Sequence, residues 1–144
     1  MITWILITHG SVGKILEVKK NSEEITVIME LSHPKTAKKE LVGKSPSEGT
    51  LRHAIDYDDD IEKHERHAFA KEIADFLTKA LSTKRFGTLI LVAAPAMLGE
   101  LRPAVASIGK HVKIHELGKD LLPQRLSDFE MVKKICTALG LPYP

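Results

Sequence analysis

The stretch from Leu89 to Arg102 reads Leu-Ile-Leu-Val-Ala-Ala-Pro-Ala-Met-Leu-Gly-Glu-Leu-Arg, and it decides the fold. Its first part is an unbroken apolar run, which is typical of a strand covered on both faces of a mostly parallel sheet. The run stops at Ala94-Pro95, because proline cannot donate to a sheet ladder, and helical spacing follows. We therefore predict a central strand over 88–94 that leads into a helix, with ligands expected at the strand's carboxyl end.

Three strand-like segments precede this stretch, namely Ile2 to Thr8, Val12 to Val18 and Ile25 to Leu31. The short connections His9-Gly10-Ser11 and Asn21-Ser22 are typical of hairpin turns. We therefore predict an antiparallel meander of three strands. Alternation in the third strand predicts that four of its apolar residues point inward, and these are Ile25, Val27, Met29 and Leu31.

The longest helical pattern runs from Ile61 to about Ser82. Three aspartates, Asp58-Asp59-Asp60, directly precede it. Aspartate favours helix starts because its side chain caps free amide groups and opposes the positive end of the helix dipole. We therefore predict that the helix begins just after the aspartates. The preceding segment, residues 32–59, lacks a regular period and is predicted to be a long loop.

A second strand and helix close the chain. Val112 to Leu117 predicts a shorter strand, and Asp128 to Leu139 predicts a helix that Ser127 caps together with Glu130. Three strands, a helix, a strand, a helix, a strand and a helix are the order of a ribonuclease H-like domain. A right-handed crossover would place the central strand beside the first strand. We predict one α/β domain over residues 1–144, with a ribonuclease H-like mixed five-stranded sheet in the order 3-2-1-4-5 and helices on its faces.

The composition narrows the class of protein. With 144 residues, 43% hydrophobic and 28% charged, the chain has the size and balance of one soluble globular domain. No window approaches the roughly 18 apolar residues of a membrane span. The amino terminus lacks the features of a secretory leader, and we expect a cytoplasmic location without membrane contact. The single cysteine, Cys136, excludes a disulfide framework and a thiolate metal site, and we expect no metal or other cofactor.

The predicted loop at residues 32–59 is locally basic, although the net charge of the chain is only +2. Before the aspartates begin, its acidic residues are Glu40 and Glu48. Its basic residues outnumber them and are Lys35, Lys38, Lys39, Lys44 and Arg52. Clustered lysine and arginine attract phosphates. The loop is therefore a candidate for binding an anionic partner.

Four short motifs occur in order along the chain: Arg52-His53-Ala54, Lys63-His64-Glu65 with Phe69-Ala70, the stretch 89–102, and Lys119-Asp120-Leu121. With these motifs the chain resembles the bacterial host attachment proteins over nearly its whole length. It departs from that family's usual pattern at Thr8-His9, where Ala-Asp is expected, and at Leu122, where threonine is expected. Roles tied to those positions do not carry over.

The host attachment family is in turn similar to the central domain of archaeal and eukaryotic peptide-chain release factors. That similarity implies a link with tRNA or the ribosome. In the release factors, a loop before the long helix carries a Gly-Gly-Gln that promotes hydrolysis of peptidyl-tRNA. The corresponding residues here, 43–53, contain no Gly-Gly-Gln. The resemblance therefore implies a fold and an RNA partner without that hydrolytic motif.

Five residues are candidates for ligand binding: Lys44, Arg52, Arg102, Lys119 and Asp120. Arg102 follows the central strand, and Lys119 and Asp120 follow the last strand. All three are predicted at the carboxyl edge of the sheet, where ligands bind. The alternative is structural, with Arg102 and Asp120 joining two loops and Arg52 pairing with an aspartate at 58–60.

His53 and Glu65 are the candidates for proton transfer. His53 would be a proton shuttle or a ligand. Glu65 lies four residues before Phe69, so it shares the helix stripe that faces the core, where a carboxylate requires a partner. Arg102, Lys119 and the backbone near His9 are the predicted partners. Glu65 would be either a general base or one half of a buried salt bridge.

The leading hypothesis is a host attachment protein that binds RNA, either a tRNA end or ribosomal RNA, without a metal. The first alternative is an enzyme that hydrolyses an ester such as peptidyl-tRNA, with His53 and Glu65 handling protons. The second alternative is a protein-interaction module whose loop orders against a protein partner. In that case binding would depend on apolar loop residues such as Leu41 and Val42.

Overall fold

The structure is a computed structural model that describes residues 2–20, 24–32, 51–83 and 86–142, and for residues 51–62 it describes the helical backbone alone. The elements in chain order are β1 (Ile2–His9), β2 (Val12–Lys19), β3 (Ile25–Ser32), α1 (Leu51–Ser82), β4 (Thr88–Val92), α2 (Pro95–Ala104), a 3-10 helix (Ile108–Lys110), β5 (Lys113–Leu117) and α3 (Asp128–Leu139).

The five strands form one mixed sheet in the order β3-β2-β1-β4-β5. β1 pairs with β2 in antiparallel and with β4 in parallel orientation, and β4 pairs with β5 in parallel orientation. The predicted α/β class and strand order are confirmed. β4 is an interior strand between β1 and β5, whereas the middle strand of the five is β1. We call the edge where β1, β4 and β5 end the carboxyl edge, and the edge where they begin the amino edge.

Each face of the sheet has its own apolar core, because β1 and β4 place apolar side chains on both faces. On the first face, α1 and α2 cover a cluster that includes Leu6 and Leu91. On the second face, α3 covers a cluster that includes Ile7 and Val92. At about 25 cal/mol per Å² of apolar area, these buried side chains dominate the stabilising free energy. The sheet is therefore the middle layer of three.

β3 differs from its predicted pattern. The pairing of β2 with β3 shifts register between Ile15 and Leu16, so Ile15 lies opposite Met29 while Leu16 lies opposite Val27. Such a β-bulge adds one residue to a strand and reverses the alternation beyond it. The four residues predicted to point inward are therefore divided between the two faces. Val27 retains 40% of its surface exposed.

α1 begins ten residues earlier than predicted, at Leu51 instead of Ile61. The aspartates at 58–60 therefore lie inside the helix and do not cap its start, and the predicted loop of residues 32–59 cannot extend past residue 50. The physical reason is that residues 51–82 contain no glycine or proline, and an aspartate inside a helix costs at most about 0.7 kcal/mol.

No helix among the described residues is long and apolar enough to cross a membrane.

The start of α3 matches its prediction. The amide of Glu130 donates to Oγ of Ser127 over 3.2 Å, and the Ser127 hydroxyl lies 3.1 Å from Oε1 of Glu130. Lys14 on β2 donates to Oδ1 of Asp128 over 2.7 Å. These contacts fix the first turn of α3 against the second face of the sheet.

Two glycines allow a matched test of packing. A Cβ atom at Gly13 would lie 3.2 Å from the carbonyl oxygen of Ile7 and 3.1 Å from Cγ2 of Thr8, whereas a Cβ atom at Gly99 would meet nothing within 4 Å. We expect Gly13→Val to lower the free energy of unfolding by about 1–3 kcal/mol, because the side chain overpacks the sheet. We expect Gly99→Ala to raise it by roughly 0.5–1 kcal/mol, because alanine favours the helix.

Urea denaturation of both variants beside the wild type measures these differences. Equal stability of Gly13→Val and the wild type would contradict the close approach of β1 and β2 at Gly13.

Candidate functional site

The chain leaves the carboxyl edge in two directions. After β4 it enters α2 on the first face, whereas after β5 it passes to α3 on the second face. Where successive connections diverge to opposite faces, the strand ends leave a crevice that commonly binds ligands in open α/β sheets. The loops after β4 and β5 lie together there, since a Cβ atom at Gly118 would contact Leu98 at 3.6 Å and Pro95 at 3.9 Å.

An imidazole–carboxylate pair crosses this crevice. Nδ1 of His9, the last residue of β1, lies 2.8 Å from Oδ2 and 3.0 Å from Oδ1 of Asp120. β1 and β5 lie on opposite sides of β4, about 10 Å apart at ordinary strand spacing. A contact between the end of β1 and the loop after β5 therefore passes over the carboxyl end of β4. The side chains remain 51% and 40% exposed, so the pair is open to a ligand.

The geometry fixes the hydrogen-bonding role of His9. A carboxylate only accepts hydrogen bonds, so Nδ1 carries the proton that it donates to Asp120. In the neutral imidazole, Nε2 is then an acceptor. The pair can thus accept a hydrogen bond or a proton through Nε2, and it can oppose an anion when the imidazole is protonated. His9 was not among the predicted site residues, although its position at the end of β1 was a usable signal.

Lys119 lies directly beside this pair in the loop after β5. Its side chain is exposed and forms no ion pair with any residue that the structure describes. α2 begins nearby with Pro95, has no acidic residue in its first turn, and has no side chain that caps it. Free helix amides and an unpaired ammonium group both favour anionic ligands. The carboxyl edge can therefore hold an anion next to the imidazole.

Arg102 does not join this group. Its Nε donates to Oε1 of Glu116 on β5 over 2.7 Å, on the first face of the sheet, whereas Asp120 bonds to His9. The predicted set of Arg102, Lys119 and Asp120 is thus divided, and the alternative of an Arg102–Asp120 contact is wrong. The reason is that Glu116 precedes the end of β5 and faces α2, so it reaches the guanidinium first.

Glu65 occupies the predicted position on the core-facing stripe but lacks the predicted partners. It lies one turn before Phe69, which packs beside Gly13 near the carboxyl edge. Both of its carboxylate oxygens are buried and have no hydrogen-bond partner in the described part of the chain, and the same holds for Nε of Arg66. A buried carboxylate without a partner costs free energy. We therefore expect the carboxylate of Glu65 to lower the stability of the fold.

The remaining predicted residues fall outside what the structure describes. Lys44 lies in residues 33–50, as do Leu41 and Val42. Arg52 and His53 belong to the first turn of α1, but their side chains are outside the described residues. Their roles stay predictions.

The other reactive side chains of the described region are separated from one another. His67 lies 3.1 Å from Glu100 across the contact between α1 and α2. Burial raises the pKa of the Cys136 thiol, which keeps it protonated and unreactive at neutral pH. Within residues 2–20, 24–32, 63–83 and 86–142, no three His, Cys, Asp or Glu side chains stand close enough to hold a metal ion.

Comparison with known proteins places these features in a family. The family described as "Protein required for attachment to host cells" matches residues 4–131. An archaeal translation termination factor, aRF1, aligns with 96% of this chain at 12% identity and a TM-score of 0.44. A second solved structure, described as an archaeal protein, aligns at 11% identity and a TM-score of 0.44. The alignments cover 39% and 38% of those two chains. No curated protein sequence matches the chain.

Because the carboxylate of Glu65 has no partner among the described residues, its removal is expected to stabilise the protein. We expect Glu65→Met to raise the free energy of unfolding by about 1–3 kcal/mol, because the methionine occupies similar space without a charge to desolvate. Lys63→Met, at an exposed position on the same helix, should change stability by less than about 0.5 kcal/mol. Urea denaturation at pH 7 measures both variants. A loss of stability in Glu65→Met would show that the carboxylate has a stabilising partner.

Proposed function

We propose that this chain, which belongs to the family of proteins required for attachment to host cells, binds RNA at its carboxyl edge. The observation that carries the proposal is the His9–Asp120 pair across the end of β4, with Lys119, an exposed lysine without an ion pair among the described residues, next to Asp120 in the chain. The ligand class is a tRNA end or an accessible segment of ribosomal RNA. The basic residues that the sequence places between 35 and 52 supply further positive charge.

Each group at this edge suits one part of a ribonucleotide. A backbone phosphate would lie against the ammonium group of Lys119 and the uncapped amides of α2. The acceptor Nε2 of His9 would take a hydrogen bond from a ribose 2′-hydroxyl, the group that distinguishes RNA from DNA. Asp120 would hold the imidazole in the tautomer that this contact requires.

Substitution of Lys119 tests where the RNA binds. We expect Lys119→Ala to weaken the binding of total tRNA and to lower the salt dependence of the affinity by about one counterion, because one phosphate contact is lost. The matched control is Lys113→Ala, which removes an exposed lysine from the amino edge. Filter binding across a salt series measures both variants.

If Lys113→Ala binds RNA more weakly than the wild type and Lys119→Ala binds it equally well, the RNA binds at the amino edge instead. The absence of salt-sensitive binding by the wild type would overturn RNA binding altogether.

The His9–Asp120 pair also favours a second candidate function, the hydrolysis of an ester such as peptidyl-tRNA. His9 would accept a proton at Nε2 from a water molecule whose oxygen attacks the ester carbonyl carbon. The carbon–oxygen bond to the ribose would then break, and the proton would pass from His9 to the leaving oxygen. In this reading His9 takes the role predicted for His53, and Asp120 is a positioning residue. Glu65, whose carboxylate oxygens are buried, has no role in this step.

Removal of the imidazole separates the two functions. If the protein is a hydrolase, His9→Ala should lower the rate of peptidyl-tRNA hydrolysis by about 10²–10⁴-fold, because the proton acceptor is lost, while binding of tRNA persists. Asp120→Asn should lower kcat and alter the pH profile, because the tautomer is no longer fixed. Release of labelled peptide measures the rate. No hydrolysis by the wild type would leave binding as the function.

A further inference from the structure

A cavity opens at the amino edge of the sheet, opposite the crevice at the carboxyl edge. It has a volume of about 610 Å³ and lies between the last turns of α1 and the 3-10 helix. This volume is within the range of pockets that hold small organic molecules. Its walls share no residue with the His9–Asp120 pair, so the cavity is independent of the proposed RNA-binding edge.

The floor of the cavity is apolar and firmly held. Phe86 and Ile108 line it and are 5% and 1% exposed, and Leu81 completes the floor. The ring of Phe86 stacks on the buried Trp4 with 4.6 Å between ring centroids. Because this stack belongs to the main core, the floor exists before any ligand arrives. Preorganised apolar surface favours binding because little side-chain entropy is lost.

The rim of the cavity offers polar groups. The hydroxyls of Thr78 and Ser82 donate to helix carbonyls over 2.7 Å and 2.6 Å, so toward a ligand they act as acceptors. Ser107 and His111 also line the cavity, and their side chains have no hydrogen-bond partner among the described residues. They are free to donate to an acceptor such as a carboxylate oxygen.

Positive charge exceeds negative charge among the described residues of the amino edge. Five exposed lysines lie at the amino ends of the sheet and in the turns beside it: Lys19, Lys20, Lys79, Lys110 and Lys113. None forms an ion pair with a described residue. The described acidic residues near this edge are fewer: Glu24, Glu17, which accepts from Nε1 of Trp4 over 3.0 Å, and Asp75 on α1. Such an excess of positive charge draws anions toward the adjacent pocket.

We propose that this cavity binds a small carboxylic acid with an apolar body. The apolar body lies on Phe86, Leu81 and Ile108. The carboxylate lies at the rim, where Ser107 and His111 donate to it and Lys110 lowers its electrostatic free energy. An alcohol with the same chain would fill the floor and could accept one hydrogen bond, but it has no negative charge for Lys110 to stabilise.

Octanoate is the probe for this site. We expect octanoate to bind the full chain at least ten times more tightly than 1-octanol, which has the same chain without the charge. Isothermal titration calorimetry measures the affinities, and amide shifts in nitrogen-15 NMR locate the site, with the largest changes expected from Ser107 to His111. Equal affinity for the two compounds, or shifts away from this turn, would overturn the proposal.

Two neighbouring substitutions provide a matched control. Ser107→Leu fills the cavity from its rim and should weaken octanoate binding at least tenfold, whereas Ala106→Leu adds the same side chain at an exposed position outside the cavity and should not. Lys110→Glu should weaken octanoate binding several-fold and leave 1-octanol binding unchanged. Thermal melting confirms that each variant is folded. Equal octanoate affinity in Ser107→Leu and Ala106→Leu would contradict binding in this cavity.

Discussion

β4 is apolar on both of its faces, and the rest of the structure depends on covering both. Leu89 and Leu91 face one helical layer, and Ile90 and Val92 face the other. A strand of this kind is stable only between two layers, because either face left in water would lose its hydrophobic free energy. The chain therefore sends α2 to one side after β4 and α3 to the other side after β5. The crevice at the carboxyl edge is a direct consequence of this division.

The same topology gives the two edges of the sheet different chemistry. At the carboxyl edge, His9 at the end of β1 and Asp120 in the loop after β5 lie on either side of β4 and are in contact across the crevice. At the amino edge, the ends of β2 and α1 and the start of β5 carry lysines without acidic partners. A net charge of +2 conceals this arrangement. The proposed RNA site and the proposed carboxylic acid site lie at these opposite edges and are separately testable.

Sequence reasoning reached the topology because apolar runs and strand alternation report burial directly, as for residues 88–94. It failed where one residue type has two uses. Asp58 to Asp60 favour a helix start but are tolerated in a helix interior at small cost, and only the absence of glycine and proline from residue 51 onward pointed to the longer helix. The bulge in β3 was missed because Ile25, Val27, Met29 and Leu31 keep an unbroken alternation that conceals it.

The candidate site was predicted in part for a related reason. Lys119 and Asp120 were placed at the carboxyl edge by topology alone. The partner of Asp120 is 111 residues away in sequence, and choosing between His9 and Arg102 requires knowing which face of the sheet each side chain occupies. Arg102 lies on the first face with Glu116. Side chains alternate between the two faces along a strand, so a shift of one residue exchanges the faces. The sequence can therefore assign these faces only if the last residues of β1 and β5 are known exactly.

The most direct test of RNA binding at the carboxyl edge is nitrogen-15 NMR of the full chain during titration with a short single-stranded RNA that ends in a tRNA-like 3′ terminus. If RNA binds at this edge, the amide signals that shift belong to His9, Gly10, Ala96, Met97 and Gly118 to Asp120, with the amino edge unchanged. Shifts confined to the turn from Ser107 to Lys113, or none at RNA concentrations that saturate filter binding, would contradict it.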